Sequence, residues 1–244
     1  MRRFCGFAGV VLLCGAGCGV VPSTGIDLSQ RGSLSMLISR ESDSAQANVG
    51  ASIADTAALA TLFELGANQS LSVNGVELRE SLLSKIGLGF FDAQIRAAVG
   101  ARDAPNGYEI EFNNAGTVTS MTVVPPADFT GLTPAAGSGV SASGFTVQWS
   151  PSNESGVLVD IWTEGLTVDG ELDDDTLPDA YFTSLSNLSD SGSANIGAAD
   201  LQGFLAGEIT VSVVRYREVT QTLGFAAGSV RVEVVASTSL TLAP

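Results

Sequence analysis

Residues 209–216 read ITVSVVRY and residues 230–235 read VRVEVV. In the second stretch Val230, Val232 and Val234 fall on one side of an extended chain, opposite Arg231 and Glu233. Successive side chains of a strand point to opposite faces, so apolar residues at every second position suit a strand that buries one of them. The same period runs through much of the chain. In FFDAQIRAAV, Phe91, Ala93, Ile95, Ala97 and Val99 alternate with Asp92, Gln94, Arg96 and Ala98; in YEIEF, Tyr108, Ile110 and Phe112 oppose Glu109 and Glu111. In FTVQW, Phe145, Val147 and Trp149 share a side. Helical signals are scarce. Residues 81–86 and 198–204 could each form a turn or two, and residues 56–65 suit helix or strand, but none is a long capped amphipathic segment. The expectation is an all-β protein of antiparallel strands with one wet face.

Turn chemistry punctuates this pattern. Asn74-Gly75 between Val73 and Val76 predicts a tight hairpin, because both residues adopt positive φ at low cost. FNNAGTVTSM predicts a second hairpin around 113–116, and SDSGSANI a third around Ser191-Gly192. Pro125-Pro126 cannot donate to a sheet ladder and marks a boundary. The resulting layout is a leader over 1–17, a flexible tether over 18–32, a first unit over 33–124 and a second over 127–244. Each unit is near the roughly 100 residues of an immunoglobulin-type sandwich.

The second unit opens GLTPAAGSGVSASGFTVQWSPS, which resembles fibronectin type III and related immunoglobulin-like modules of bacterial envelope lipoproteins. There a proline-containing first strand leads to a strand carrying a core tryptophan. SLSVNGVEL followed by YEIEF resembles the upstream module of such two-sandwich proteins. The resemblance implies two antiparallel β-sandwich domains and an envelope location, and it carries no catalytic residue across.

The N-terminus says where the chain is sent. Arg2 and Arg3 precede an apolar run from Phe4 to Leu13, and Gly15-Ala16-Gly17 leads into Cys18. This is the layout of a secretory signal, too short to be the roughly 20 residues of a membrane-spanning helix. The stretch also resembles a bacterial lipoprotein signal, which implies cleavage before Cys18 and acylation of its thiol. The plainer alternative is an ordinary secretory leader with Cys18 incidental. All three cysteines lie at or before position 18, so no disulfide pairs in the remainder, and a lone thiol at a cleavage point fits a lipid attachment site. Gly19 is not the acidic residue that commonly retains lipoproteins in an inner membrane, which favours an outer membrane if the source has two.

Eleven Lys plus Arg stand against 26 Asp plus Glu, for a net charge of −15. Such a chain is repelled by phosphate backbones and has no basic stripe, so nucleic acid is excluded as a partner. Histidine is absent and Lys85 is the only lysine. That removes Ser-His-Asp and Cys-His relays and His-ligated metals. No phosphate-binding loop, dinucleotide fingerprint or G-x-S-x-G elbow is present. No cofactor is called for.

Four constellations remain. Asp169, Glu171, Asp173, Asp174, Asp175 and Asp179 cluster in VDGELDDDTLPD, as a calcium loop would. The EF-hand spacing fails, with Asp174 where Gly is required and Ala180 where the bidentate Glu belongs, so a solvated loop and no metal site is expected. Trp149, Trp162, Tyr181, Phe182 and Tyr216 could form a platform for sugar rings. Trp149, however, is in phase with Phe145 and Val147 and should point inward, and core packing is expected for Trp162 too, although its phase with Leu158 and Asp160 permits exposure. Two carboxylates could run glycosidase chemistry, but nothing marks a cleft and no catalytic residue is assigned. Arg215 and Arg217, flanking Tyr216, are expected on a charged strand face that pairs with acids. The function expected is non-catalytic: a membrane-anchored structural, adhesive or protein-binding module, with a protein or glycan partner not identified by the sequence.

Overall fold

The computed structural model describes residues 19–23, 25–58, 61–80, 90–96, 107–166, 180–220 and 222–244. Its strands in the first half of the chain are β1 (Gly19–Pro22), β2 (Gly32–Glu41), β3 (Gln46–Asp55), β4 (Thr61–Glu64), β5 (Gln69–Val73), β6 (Val76–Glu77), β7 (Arg79–Glu80), β8 (Phe90–Arg96), β9 (Tyr108–Asn114) and β10 (Thr117–Val123). The second half holds β11 (Gly139–Ser141), β12 (Gly144–Gln148), β13 (Leu158–Leu166), β14 (Ala180–Ser189), β15 (Ser193–Gly197), β16 (Gly207–Thr220) and β17 (Ala227–Ala243). One helical turn, α1 (Leu28–Arg31), is capped by Asp27, whose carboxylate accepts from the Ser29 N–H.

The period-two expectation holds: the protein is all-β. Most pairings are antiparallel, but three are parallel, joining β1 to β4, β11 to β17 and β17 to β2. The antiparallel sheets expected are present, and these three parallel pairs are additions to them. The long sheet runs β1-β4-β3-β2-β17-β16-β13-β14, so the last strand of the chain inserts between β2 and β16. A four-stranded sheet, β10-β9-β5-β6, and a two-stranded one, β12-β15, accompany it.

Packing explains the insertion. One core joins Leu34, Met36, Ile38, Val49 and Ile53 of the long sheet to Leu71, Val73, Tyr108, Ile110 and Phe112 of the four-stranded sheet. The other joins Val159, Ile161, Val211 and Val213 of the long sheet to Val147 and Ile196 of the two-stranded one. On β17, Val230 and Val232 belong to the first core, Val234, Leu240 and Leu242 to the second. These are all even positions in a ladder whose register with β16 never slips, so both small sheets pack on the same face of one long sheet. At about 3.3 Å per residue, the 17-residue β17 spans roughly 55 Å, enough to serve both cores.

Along the chain, then, the cores do not follow the expected units of 33–124 and 127–244. Leu223, Phe225, Val230 and Val232 pack with the first stretch, and Phe225 lies against Phe112 with ring centroids 4.4 Å apart. The expected flexible tether over 18–32 differs too. From Gly19 the chain is strand β1, Ser23 is buried and donates its N–H to the Glu64 carbonyl, and Leu28 is fully buried in the first core. Alternation fails to flag this stretch because α1 is a single turn carrying one core residue.

Two of the three predicted hairpins form as read. Asn74 and Gly75 have φ of 50° and 73° between paired Val73 and Val76, and Ala115 and Gly116 have φ of 52° and 92° between paired Asn114 and Thr117. The turn at Ser191-Gly192 is different: β14 before it pairs with β13, whereas β15 after it pairs with β12. It crosses between sheets. Residues 198–203 form turns ending in a β-bridge at Phe204, residues 61–64 are strand, and residues 81–86 lie outside the described residues.

Candidate functional site

Between the two cores the inner face of the long sheet turns polar. Register places Arg40, Val234, Arg215 and Val159 in one row across β2, β17, β16 and β13. Arg40 continues the inward series Leu34, Met36, Ile38, and Arg215 the series Ile209, Val211, Val213. Both arginines are buried, with Arg215 at 0% exposure. Arg215 and Arg217 do pair with acids, Asp190 and Glu154, as expected, but the phase of Arg215 with buried valines carries it inward, and Tyr216 on the opposite face is buried as well.

A buried guanidinium needs anions or carbonyls to replace water. Arg215 Nη1 donates to the Ala127 and Asp128 carbonyls at 2.8 and 3.0 Å, and Nη2 donates to the Ser150 carbonyl at 2.7 Å. Its Nε lies 3.0 Å from Asp190 Oδ2, and its guanidinium carbon sits 4.3 Å from the centroid of the Phe129 ring. Arg217 Nη1 donates to the Val124 carbonyl and Nη2 pairs with Glu154 at 2.9 Å, while Arg40 pairs with Asp128. Three arginines of the long sheet thereby hold the 124–129 connector between the cores.

Asp190 is the acidic centre of this clamp. Its Oδ1 accepts from Trp149 Nε1 at 2.7 Å, and Oδ2 accepts from the Ser152 N–H and hydroxyl at 2.8 and 2.6 Å. Burial pushes its pKa up, but the Ser152 and Trp149 hydrogen bonds and the charge of Arg215 outweigh that and hold it below the ordinary carboxylate value. A carboxylate so occupied is a structural anion rather than a proton-transfer group. The indole of Trp149 is buried, as its phase predicts, and is committed to Asp190.

The outer face carries a second cluster. Leu158, Tyr216, Glu233 and Ser39 form a row across β13, β16, β17 and β2. Arg231 lies 3.6 Å over the Tyr216 ring, and its Nη2 and Nε donate to Asp160 and Glu233 at 2.8 and 3.1 Å. Tyr216 donates its hydroxyl to Asn187 at 2.7 Å, and the Asn187 N–H donates to Asp160 at 2.8 Å. Burial drives the Glu233 pKa above the usual value despite Arg231, and raises the Tyr216 phenol. Arg231 is itself raised, since Asp160 and Glu233 more than offset its desolvation. Both acids pair with the same arginine and their side chains are only 7% and 8% exposed, so neither is presented to a substrate as glycoside chemistry requires.

Trp162 is half-buried on this outer face, two positions from Asp160, with Ser212 opposite it on β16. The side chains of Tyr181 and Phe182, the acidic loop from Asp169 to Asp179, and Cys18 lie outside the described residues. Among the described residues, no group of three or more acids or cysteines comes together in a way that could hold a metal ion, and no helix is long and apolar enough to cross a membrane. Reasoning from sequence missed Arg40, Asp190 and the Asp160–Arg231–Glu233 cluster. A signal existed for Arg40: an arginine in phase with Leu34, Met36 and Ile38, in a chain with few cations, is one that the fold buries with a partner.

No protein-family model matches the chain, and no curated protein matches it. Among solved structures it is similar to the FN1–FN3 domains of chicken CNTN1, at 10% identity and a TM-score of 0.25, over 84% of this chain and 69% of that one.

Proposed function

We propose that the protein is a non-catalytic, lipid-anchored module of a bacterial cell envelope, acting as a structural, adhesive or protein-binding element. One observation carries this reading: the cations and acids that could have built an active site instead tie the 124–129 connector to the sheet that both cores share. That arrangement favours rigidity over a moving or water-excluding cleft. The leader and Cys18 support export and acylation, and two acyl chains, at about 0.8 kcal/mol per buried methylene, would hold the protein on a membrane. Gly19 after Cys18 favours the outer membrane of a two-membrane organism.

The test is metabolic labelling with an alkyne-bearing fatty acid in a diderm host, followed by membrane fractionation. Wild-type protein is expected in the membrane fraction with label on Cys18, and Cys18→Ser is expected unlabelled. An unlabelled wild-type chain beginning elsewhere than Cys18 contradicts the anchor, and turnover of any glycan substrate contradicts the non-catalytic role. Binding of a glycan is the second reading, favoured by Trp162 on the outer face beside Asp160, and a silent glycan array removes it.

A further inference from the structure

The two-residue turn Ala115-Gly116 makes Asn114 and Thr117 the closing hydrogen-bonded pair of the β9–β10 ladder. Alternation then aims the backbone N–H and C=O of Val118, Ser120 and Thr122 away from β9. Strand β10 is the edge of its sheet, and among the described residues nothing pairs with that side. Edge strands are usually guarded by charge, proline or a bulge. The run from Thr117 to Val124, TVTSMTVV, has no charged residue and no proline, and its ladder with β9 is free of register shifts. Val118 is 56% exposed. At the β14 edge of the long sheet, by contrast, register slips opposite Val159 and Ile161 and Asn187 takes a φ of 59°.

We infer that the β10 edge receives an extended segment of a partner protein, which adds as a further strand and carries Lys or Arg at alternate positions. This deepens the protein-binding reading above and does not depend on acylation. Main-chain pairing with Val118, Ser120 and Thr122 supplies the docking. Charge sets the occupant: on β9, Glu111 stands opposite Ser120 and Glu109 opposite Thr122, on the outward face. An added strand places its own outward side chains two strand spacings, about 10 Å, from these glutamates, across the short Ser120 and Thr122 side chains, a span that long cationic side chains bridge. A second copy is disfavoured, because pairing β10 with β10 would put two such glutamate rows on one face of two chains each of charge −15.

The test is a titration of full-length protein in neutral detergent, followed by anisotropy of a fluorescein-tagged peptide Thr-Lys-Val-Lys-Val-Lys-Thr. The control peptide, Lys-Lys-Val-Pro-Val-Lys-Thr, keeps the charge but puts Pro at the centre, removing an N–H and the extended pairing. The Pro peptide is expected to bind at least tenfold more weakly, and Ser120→Lys, which leaves the fold intact by circular dichroism, to weaken the Lys peptide at least tenfold. Equal binding of the two peptides, unchanged binding to Ser120→Lys, or concentration-dependent dimers that block the peptide overturns the proposal. A chain that captures a cross-linked protein elsewhere while Ser120→Lys has no effect sinks this edge alone; a chain that binds glycans and no peptide sinks the protein-binding reading with it.

Discussion

Asp190, in the turn that crosses from the long sheet to the two-stranded one, has a side chain only 5% exposed, and it meets the buried Arg215, in the middle of β16, with Nε 3.0 Å from Oδ2. Their pairing joins the connector, the Trp149 strand and the shared sheet at one point. Removing one partner leaves the other charge buried and the connector carbonyls unmatched. Arg215→Met is expected to lower stability by about 3–5 kcal/mol, and Asp190→Asn by less, since the amide keeps the shape. Denaturant melts of both singles and the double should show a coupling of more than about 1 kcal/mol; additive losses contradict a direct pairing.

Asp190 and Glu233 act on pH dependence with opposite signs. Asp190 titrates below its ordinary 3.8, so its contribution is full above that pH and is lost as pH falls through the lowered value. Glu233, faced by Arg231, Asp160, Tyr216 and Ser39, titrates above its ordinary 4.5, so the folded state holds a proton longer than the unfolded one and stability declines as pH rises from there. Urea midpoints across pH 2.5–8 should show that Glu233→Gln flattens the decline above pH 4.5. Asp190→Asn should flatten part of the loss below pH 3.8.

Phe225 lies far along the chain from the strands it packs on. Phe225→Ala is expected to cost about 3–5 kcal/mol, by lost burial and the cavity beside Phe112. A fragment of residues 19–126 lacks Leu223, Phe225, Val230 and Val232 and is expected not to fold, giving unfolded amide chemical shifts. A fragment with dispersed shifts and a cooperative melt contradicts that.

Gly75 has a φ of 73°, and a methyl group added there would meet nothing within 4 Å, so Gly75→Ala tests backbone strain alone. A loss near 1 kcal/mol is expected. At Gly107 a Cβ would stand 2.4 Å from the Val123 carbonyl oxygen, and that backbone cannot yield without breaking the β9–β10 pairing. Gly107→Ala should therefore cost clearly more, in a thermal melt of the two variants side by side.

Strand character was legible wherever one face is wet, as at Tyr108, Ile110 and Phe112 against Glu109 and Glu111. It was silent where both faces are covered: alternation marks the acid pairing of Arg215 but not that it and Tyr216 are both buried, with cores or clusters on both sides of β16. Side-chain period is local and says nothing about which strand a segment pairs with. The insertion of β17 between β2 and β16 depends on contacts between residues some 190 positions apart, such as Val232 with Ile38, and no local pattern encodes them. The same holds for Asp190, whose role appears only once β14 and β15 part into different sheets.

The most direct measurement follows unfolding in urea with two reporters at once: tryptophan fluorescence, with Trp149 in the second core, and hydrogen exchange of the β9 amides from Tyr108 to Asn114 in the first. A sheet that serves both cores and is clamped at Arg215 predicts coincident transitions with one free energy. Separate transitions, with β9 opening while Trp149 stays buried, contradict it.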